Sequence, residues 1–218
     1  MQLNKKYKNP FGETFEISRF RFYAGKFAPI YSTAENQTNK KIIHPKPTSS
    51  NENPNYRLID FSDSASTFFF LGAPEGICTG IRFQLGIDSA DQNNGAQTGA
   101  LDPVNGMFWT WNSGYVAFKL EGFSPESNQP AHLIAYHIGG YRSPDDTHWE
   151  IKLNGSDSTG FAVFNTIEIE IAVELDYFFD GMMPVHIKDI STCTTPGELA
   201  HKLSENFAAA FKPLRSTK

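Results

Sequence analysis

Hydrophobic and polar residues alternate along several segments of the chain. The longest alternating segment runs from Thr166 to Asp176, where the odd positions hold Ile167, Ile169, Ile171, Val173 and Leu175 and most even positions are acidic. A period of two predicts a strand with one face on the core and the other in water. A helix would spread those acidic residues around its whole circumference.

The same alternation predicts further strands at Ile81–Ile87, Val116–Leu120 and Trp149–Leu153, with shorter candidates around Leu58, at Ser66–Leu71 and at Leu133–Ile138. Phe15 and Ile17 alternate in one phase and Phe20 and Phe22 in the other, which predicts a β-bulge between the two pairs. Short, one-sided strands bounded by turn residues are typical of antiparallel sheets. We therefore predict an all-β fold, an antiparallel β-sandwich over residues 14–218. Residues 1–13 are expected to be a disordered or added N-terminal segment.

One α-helix is predicted near the C-terminus. Thr195 suits the N-cap, Pro196 the first turn, and Glu198 completes a capping box. Beyond the cap, an apolar stripe recurs every four residues at Leu199, Leu203, Phe207 and Phe211. Such a stripe is typical of a helix that packs on a sheet.

Composition excludes several classes of protein. The 218 residues carry 24 acidic and 19 basic side chains, a net charge of −5, so no basic surface for nucleic acid is expected. Aromatic residues make up 14% of the chain, which is enough apolar surface to build a core. No apolar run is long enough for a membrane-spanning helix. The N-terminal residues MQLNKKYKNPFGETFE contain no apolar run typical of a signal peptide.

Motifs for catalysis are absent from the sequence. There is no nucleophile elbow, phosphate-binding loop, HExxH pair or CxxC pair. We therefore expect a protein without catalytic activity of its own. Cys78 and Cys193 are too few for a disulfide scaffold, and they leave one disulfide or two buried thiols open.

A turn-rich segment offers oxygen ligands before the aromatic residues that follow it. Asp88, Asp91 and Asn93 supply the hard oxygen atoms that Ca²⁺ prefers. Their spacing does not match an EF-hand loop. The commoner alternative is a turn in which Asp and Asn side chains bond their own backbone, so calcium remains one of two interpretations.

Soft ligands and aromatic side chains mark two other segments. Met182, Met183 and His186 lie together in GMMPVH, a set that suits Cu(I), although methionine also simply fills hydrophobic turns.

Trp109 and Trp111 are two residues apart and would share one face of a strand. Exposed side by side, they would form a recognition surface for a glycan or a peptide, whereas buried they would belong to the core.

A family resemblance rests on a long and unusual string of residues. The segment LGIDSADQNNGAQTGALDPVNGMFWTWNSGYVAFKLEG, followed by YHIGGY, resembles the MbnP-like family of exported bacterial proteins. TFEISRFRFY, YRLID and TPGELAHKLSENFAAAF also fit, so the resemblance runs from about Thr14 to Phe211. Copper-binding members carry an Asn-His pair where this chain has Asn93-Asn94. Four-cysteine members carry two further cysteines.

The resemblance implies a β-sandwich located in the periplasm or at the cell surface. It further implies copper bound through histidine, with a tryptophan oxidised near the metal by a MauG-like (MbnH-like) di-haem partner enzyme. His137 matches the histidine of the HIGG segment, and Trp109 and Trp111 match the tryptophan pair. The expected copper site therefore draws on His137, Trp109 and Trp111, with His186, Met182 and Met183 as further candidates.

Overall fold

The computed structural model describes residues 2–31, 55–71, 77–110, 112–154, 161–162 and 169–213. In these residues the strands are β1 (Lys6–Lys8), β2 (Thr14–Tyr31), β3 (Tyr56–Asp60), β4 (Ile77–Leu85), β5 (Phe108–Thr110), β6 (Gly114–Phe123), β7 (Leu133–Gly139), β8 (Trp149–Asn154), β9 (Phe161–Ala162), β10 (Ile171–Val173), β11 (Thr192–Cys193) and β12 (Phe211–Pro213). The α-helices are α1 (Ser89–Gln92), α2 (Asp176–Phe179) and α3 (Glu198–Ala209).

One large sheet dominates the described structure. Its central strand order is β11-β7-β6-β2-β4-β8, with β1 and β3 on β2, β5 on β6 and β9 on β4. Strand β2 is 18 residues long and pairs with β1, β3, β4 and β6, so it holds the sheet together. Strands β10 and β12 form a separate antiparallel pair.

The main core lies on one face of the large sheet, called here the inner face. Phe118 on β6 and Tyr136 on β7 point into it, and helices α2 and α3 cover it. The ring of Phe207 on α3 lies 4.1 Å from that of Phe118, and the ring of Phe178 on α2 lies 5.1 Å from that of Tyr136. The second layer of the domain is therefore built from two helices and the β10–β12 pair.

A second, smaller core lies on the opposite, outer face. It joins Tyr23, Tyr56 and Tyr115 to side chains of the segment between β4 and β6, namely Ile87, Leu101 and Met107, and also includes Val116. The 86–107 segment thus packs down on one end of the outer face. The remainder of that face carries polar side chains, because residues on a strand alternate between the two faces.

The prediction of a mostly β fold is confirmed, but its purely antiparallel character is wrong, because the sheet is mixed. Strand β11 runs parallel to β7, with Thr192 opposite Ala135 and Cys193 opposite Tyr136. A parallel pair needs a long crossover connection. Here the chain between the two strands passes through β8, β9, β10 and α2 before it returns to the sheet edge.

Local predictions had mixed outcomes. The bulge is confirmed as a register shift between Ile17 and Arg19 against β6. The sequence pattern predicts a strand over Ser66–Leu71, but a 3₁₀ helix occupies Ser64–Thr67. Of Thr166–Asp176, residues 166–168 lie outside the described residues, Ile171–Val173 is a strand, and Asp176 already begins α2.

The C-terminal helix exists, but Thr195 does not cap it. Its N-cap is Gly197, at φ 140°, which has no side chain to accept from the free N–H groups of the first turn. The buried stripe follows Ala200, Leu203 and Phe207, whereas Leu199 is 37% exposed. In the described residues no helix is long and apolar enough to cross a membrane.

The segment before Thr14 contributes a strand and a buried carboxylate. Strand β1 pairs with the start of β2. The Glu13 side chain is 7% exposed and accepts hydrogen bonds from the backbone N–H groups of Ile187 and Lys188, at 2.8 and 3.2 Å. Residues 2–13 therefore pack on the sheet and on the segment that follows α2.

Candidate functional site

Charged side chains occupy the outer face of β2, β6 and β7. They are Arg19 and Arg21 on β2, Lys119 and Glu121 on β6, and His137 on β7, each next to residues that face the inner core. Lys119 lies directly opposite Arg21 on one side and opposite His137 on the other. Three adjacent strands therefore place basic groups, a carboxylate and an imidazole on one surface.

His137 is paired with a carboxylate at the centre of this surface. Its Nε2 lies 2.7 Å from Glu121 Oε1, and Arg19 Nη1 lies 3.0 Å from Glu121 Oε2. The hydrogen bond from His137 is the main cause that lowers the pKa of Glu121, so this carboxylate is ionised at neutral pH. An ionised carboxylate only accepts, hence Nε2 carries the proton and a neutral ring presents Nδ1 as a lone pair.

The segment between β4 and β6 is held on the outer face by side chains that reach its carbonyl groups. Tyr23 Oη donates to Ala100 O at 3.0 Å and Tyr115 Oη to Leu101 O at 2.8 Å. Two cations do the same further along, since Arg21 donates to the carbonyl of residue 105 at 3.0 Å and Lys119 to that of residue 106 at 2.5 Å. The segment that leads into Trp109 is therefore fixed beside His137.

Trp109 lies on the same face as His137. Strand β5 pairs with β6, and the Trp109 ring packs over Gly139, where its Cζ3 would lie 3.0 Å from a Cβ atom. Gly139 and His137 are two residues apart on β7, hence on one face and about 7 Å apart along the strand. The structure thus brings Trp109 and His137 into one neighbourhood. Trp111 lies outside the described residues.

The soft-ligand candidates lie with the helical layer on the other side of the sheet. The His186 ring is 4.0 Å from that of Phe11, and the Met183 N–H donates to buried Asn206 on α3 at 3.1 Å. The Met182 side chain is 79% exposed. The structure therefore separates these residues from His137.

The calcium candidates surround a lysine instead of an open space. Lys26 Nζ contacts Asp88 Oδ2 and lies 2.8 Å from Asp91 Oδ2, while Tyr56 Oη donates to Asp91 at 2.8 Å. Asp88 also accepts from the Asp91 N–H and so caps α1, whereas Asn93 is exposed. A calcium ion would have to displace the ammonium group, and the calcium site stays a prediction.

Electrostatics keep Lys26 and Asp88 charged. Burial lowers the pKa of Lys26, but the hydrogen bonds to Asp88 and Asp91 outweigh burial and raise it. Burial raises the pKa of Asp88, but the Lys26 ammonium and the Asp91 N–H outweigh burial, so the pKa is lowered overall. Sequence reasoning missed Lys26, because its left-handed backbone, at φ 48° within a register shift of β2, has no signature in the sequence.

The two cysteines are far apart in the sheet. Cys78 is in β4 and Cys193 in β11, and strands β7, β6 and β2 lie between them. At about 4.8 Å per strand they are roughly 19 Å apart, well beyond the ~7 Å limit for a disulfide. Cys193 is a buried free thiol, and burial raises its pKa. A disulfide between the two cysteines is therefore excluded, and the side chain of Cys78 lies outside the described part of the structure.

The described residues contain no group of three or more His, Cys, Asp or Glu side chains that could hold a metal ion. His137 is thus a single nitrogen donor with a carboxylate behind it. The arrangement fits part of a copper site, because metal-bound histidines usually donate their other N–H to such a carboxylate. A complete copper site would need further donors besides His137.

Comparison with known proteins identifies one family. A family model described as MbnP matches residues 1–195. The solved structure of MbnP from Methylosinus trichosporium is similar, with a TM-score of 0.58 and 14% sequence identity, over 89% of this chain and 78% of that chain. Among curated proteins, none matches. At this identity the structural likeness concerns the fold.

Proposed function

Because this chain belongs to the MbnP family, we propose that it is an exported copper-binding or copper-handling protein without catalytic activity. Family membership and the resemblance of the LDPVNGMFWTW segment support a copper-related accessory role. The outer face of β6 and β7 is the proposed site. We propose that the protein acts in the periplasm or at the cell surface. Fractionation of cells that express the full gene tests this location.

One observation carries this proposal. His137 and Trp109 are 28 positions apart in the sequence (137 − 109), yet they lie on one face of the sheet, beside the segment that carries the family resemblance. We propose that Nδ1 of His137 binds copper, while Glu121 holds the ring by accepting from Nε2–H. An uncharged imidazole is a ligand that suits copper.

Competition with a Cu(I) chelator tests the site. His137→Ala is expected to weaken copper binding by roughly a hundredfold or more, since loss of a ligand exceeds the 10–100-fold loss typical of outer partners. His186→Ala is the matched control, because that half-buried histidine lies in the helical layer. Thermal melts of both variants establish that they fold.

Two results would contradict the proposal. If the wild-type protein retains no copper against the chelator, the copper function is wrong. If His186→Ala abolishes binding while His137→Ala retains it, the metal is bound in the helical layer instead. If calcium is the bound metal instead of copper, added Ca²⁺ should raise the melting temperature of the folded protein at neutral pH. The variant Asp91→Asn, which leaves His137 intact, should reduce that increase.

We propose a MauG-like di-haem enzyme as the partner, with Trp109 as the residue it oxidises. Trp109 is partly exposed on the outer face, so an electron can leave it without unfolding of the sheet. After co-expression with such an enzyme, the peptide that contains Trp109 should change mass, and the Trp109→Phe variant should not. An unchanged peptide in the wild-type protein would refute this partner.

The alternative function, recognition of a glycan or a peptide, needs Trp109 and Trp111 side by side in a groove. Trp109 packs against Gly139 and the second core, which leaves less of its ring for a ligand. Trp111 lies outside the described residues, so this alternative stays a prediction. Glycan-array binding that is lost in Trp109→Ala but unchanged in His137→Ala would favour the recognition function.

A further inference from the structure

Asn-Gly pairs occur at positions 94–95, 105–106 and 154–155. Such pairs react spontaneously, because glycine has no side chain to keep its backbone nitrogen away from the asparagine amide. That nitrogen bonds to the side-chain carbon Cγ, the Cγ–Nδ2 bond breaks, and ammonia leaves with the proton. Water then opens the succinimide ring and yields aspartate or isoaspartate.

The fold holds Asn105 away from this reaction. Its Nδ2 donates to the carbonyl oxygens of Gly99 and Ala100, both at 3.0 Å. The amide must rotate out of both hydrogen bonds before Cγ can meet the nitrogen of Gly106. That nitrogen in turn donates to Pro103 O at 2.9 Å.

Asn94 is held far less firmly. Its side chain is exposed and makes no hydrogen bond to a described residue, although its backbone N–H donates to Asp91 O at 3.3 Å. The nitrogen of Gly95 donates to Gln92 O at 3.1 Å, so at both sites the attacking glycine nitrogen is hydrogen-bonded to a backbone carbonyl. The difference between the sites is therefore the freedom of the asparagine side chain.

We propose that Asn94 is a site of spontaneous deamidation in the folded protein, whereas Asn105 is protected. The product adds a negative charge next to Asp91, and isoaspartate also adds a methylene to the backbone before Gly95. The Gly95 carbonyl accepts from Tyr115 Oη at 3.1 Å, and Gln92 Oε1 accepts from the Tyr115 N–H at 2.8 Å. The modification therefore loosens the contacts under the second core.

Ageing of the full chain at physiological temperature and mildly alkaline pH tests the proposal. Cleavage before Asp91 and Asp102 places the two asparagines in separate peptides for mass spectrometry. Asn94 should deamidate at least roughly tenfold faster than Asn105, because two hydrogen bonds hold the latter. In denaturant the two rates should converge. A methyltransferase specific for isoaspartate should label the 91–101 peptide.

The variant Asn94→Gln is the matched control, since glutamine forms the corresponding ring far more slowly. Its melting temperature should not fall on ageing, whereas that of the wild-type protein should. Equal rates at Asn94 and Asn105 in the folded chain would overturn the proposal. So would an unreactive Asn94 in folded protein that becomes reactive only in denaturant.

Discussion

Glu13 offers the sharpest test of the fold, because one buried carboxylate ties the N-terminal segment to the chain after α2. Its Oε2 accepts from Asn9 Nδ2 at 2.7 Å and from the Ile187 N–H at 2.8 Å, and its Oε1 accepts from the Lys188 N–H at 3.2 Å. In Glu13→Gln one oxygen becomes an NH₂ group that faces a donor. The best rotamer keeps two of the three bonds and leaves the Lys188 N–H without its acceptor.

The expected cost follows from these contacts. An unsatisfied donor costs about 1–3 kcal/mol, and the two remaining bonds lose the strength that the charge gives them. We therefore expect the free energy of unfolding to fall by about 2–3 kcal/mol at neutral pH. A loss of that size is a large fraction of the stability of a typical domain.

The loss should depend on pH in a defined direction. Burial raises the pKa of Glu13, but the hydrogen bonds from Asn9, Ile187 and Lys188 outweigh burial and lower the pKa below 4.5. A lowered pKa contributes stability above the unfolded value, and this stability is lost as the pH falls through the folded pKa. The difference between wild type and variant should therefore shrink well below pH 4.5.

Urea denaturation at several pH values measures this difference. Glu198→Gln is the control, because Glu198 forms a solvent-exposed ion pair with Lys202 and its loss should leave the free energy of unfolding nearly unchanged. A Glu13 variant as stable as wild type at neutral pH would refute the docking of residues 2–13. A difference that does not change with pH would refute the role of the charge.

Three further predictions concern the two faces of the sheet. Glu121→Gln should weaken copper binding by roughly 10–100-fold in chelator competition, because the carboxylate orients His137; unchanged affinity would contradict this role. Phe207→Ala should destabilise the fold by about 3–5 kcal/mol in urea, since Phe207 is fully buried among aromatic rings; a loss under 1 kcal/mol would argue against its packing. Gly139→Ala should cost about 1–3 kcal/mol and shift the Trp109 indole NMR signal, because the new Cβ would lie 2.5 Å from the Tyr115 carbonyl oxygen; an unmoved signal would refute the contact.

Alternation predicted much of the sheet because burial on one face imposes it directly. Strands β4, β6, β7 and β8 lie where the pattern places them, and the change of phase in β2 is a register shift. Alternation carries no information on strand direction or order, so the parallel pairing of β11 could not be foreseen. Ser66–Leu71 misled for another reason, since Asp63 caps a 3₁₀ helix over the first part of that segment.

The candidate site was predictable only one residue at a time. The resemblance marked Trp109 and His137, but their proximity depends on how β5 pairs with β6 and β6 with β7. Glu121 directly follows the predicted strand Val116–Leu120, yet nothing in the sequence links it to a histidine 16 residues away. Lys26 is 62 residues from Asp88, and only the folded bulge brings them together.

Because the main core and the proposed copper site lie on opposite faces of the sheet, the fold and the proposed copper binding can be tested separately. At 14% identity with the M. trichosporium MbnP the fold is retained, because apolar alternation tolerates many substitutions of similar size. The outer-face residues Arg19, Glu121 and His137 contribute little to the main core, so they can change without loss of the fold. Variants at these positions should therefore keep the melting temperature within a few degrees while they alter copper affinity. A collapse of the fold in His137→Ala would contradict this separation.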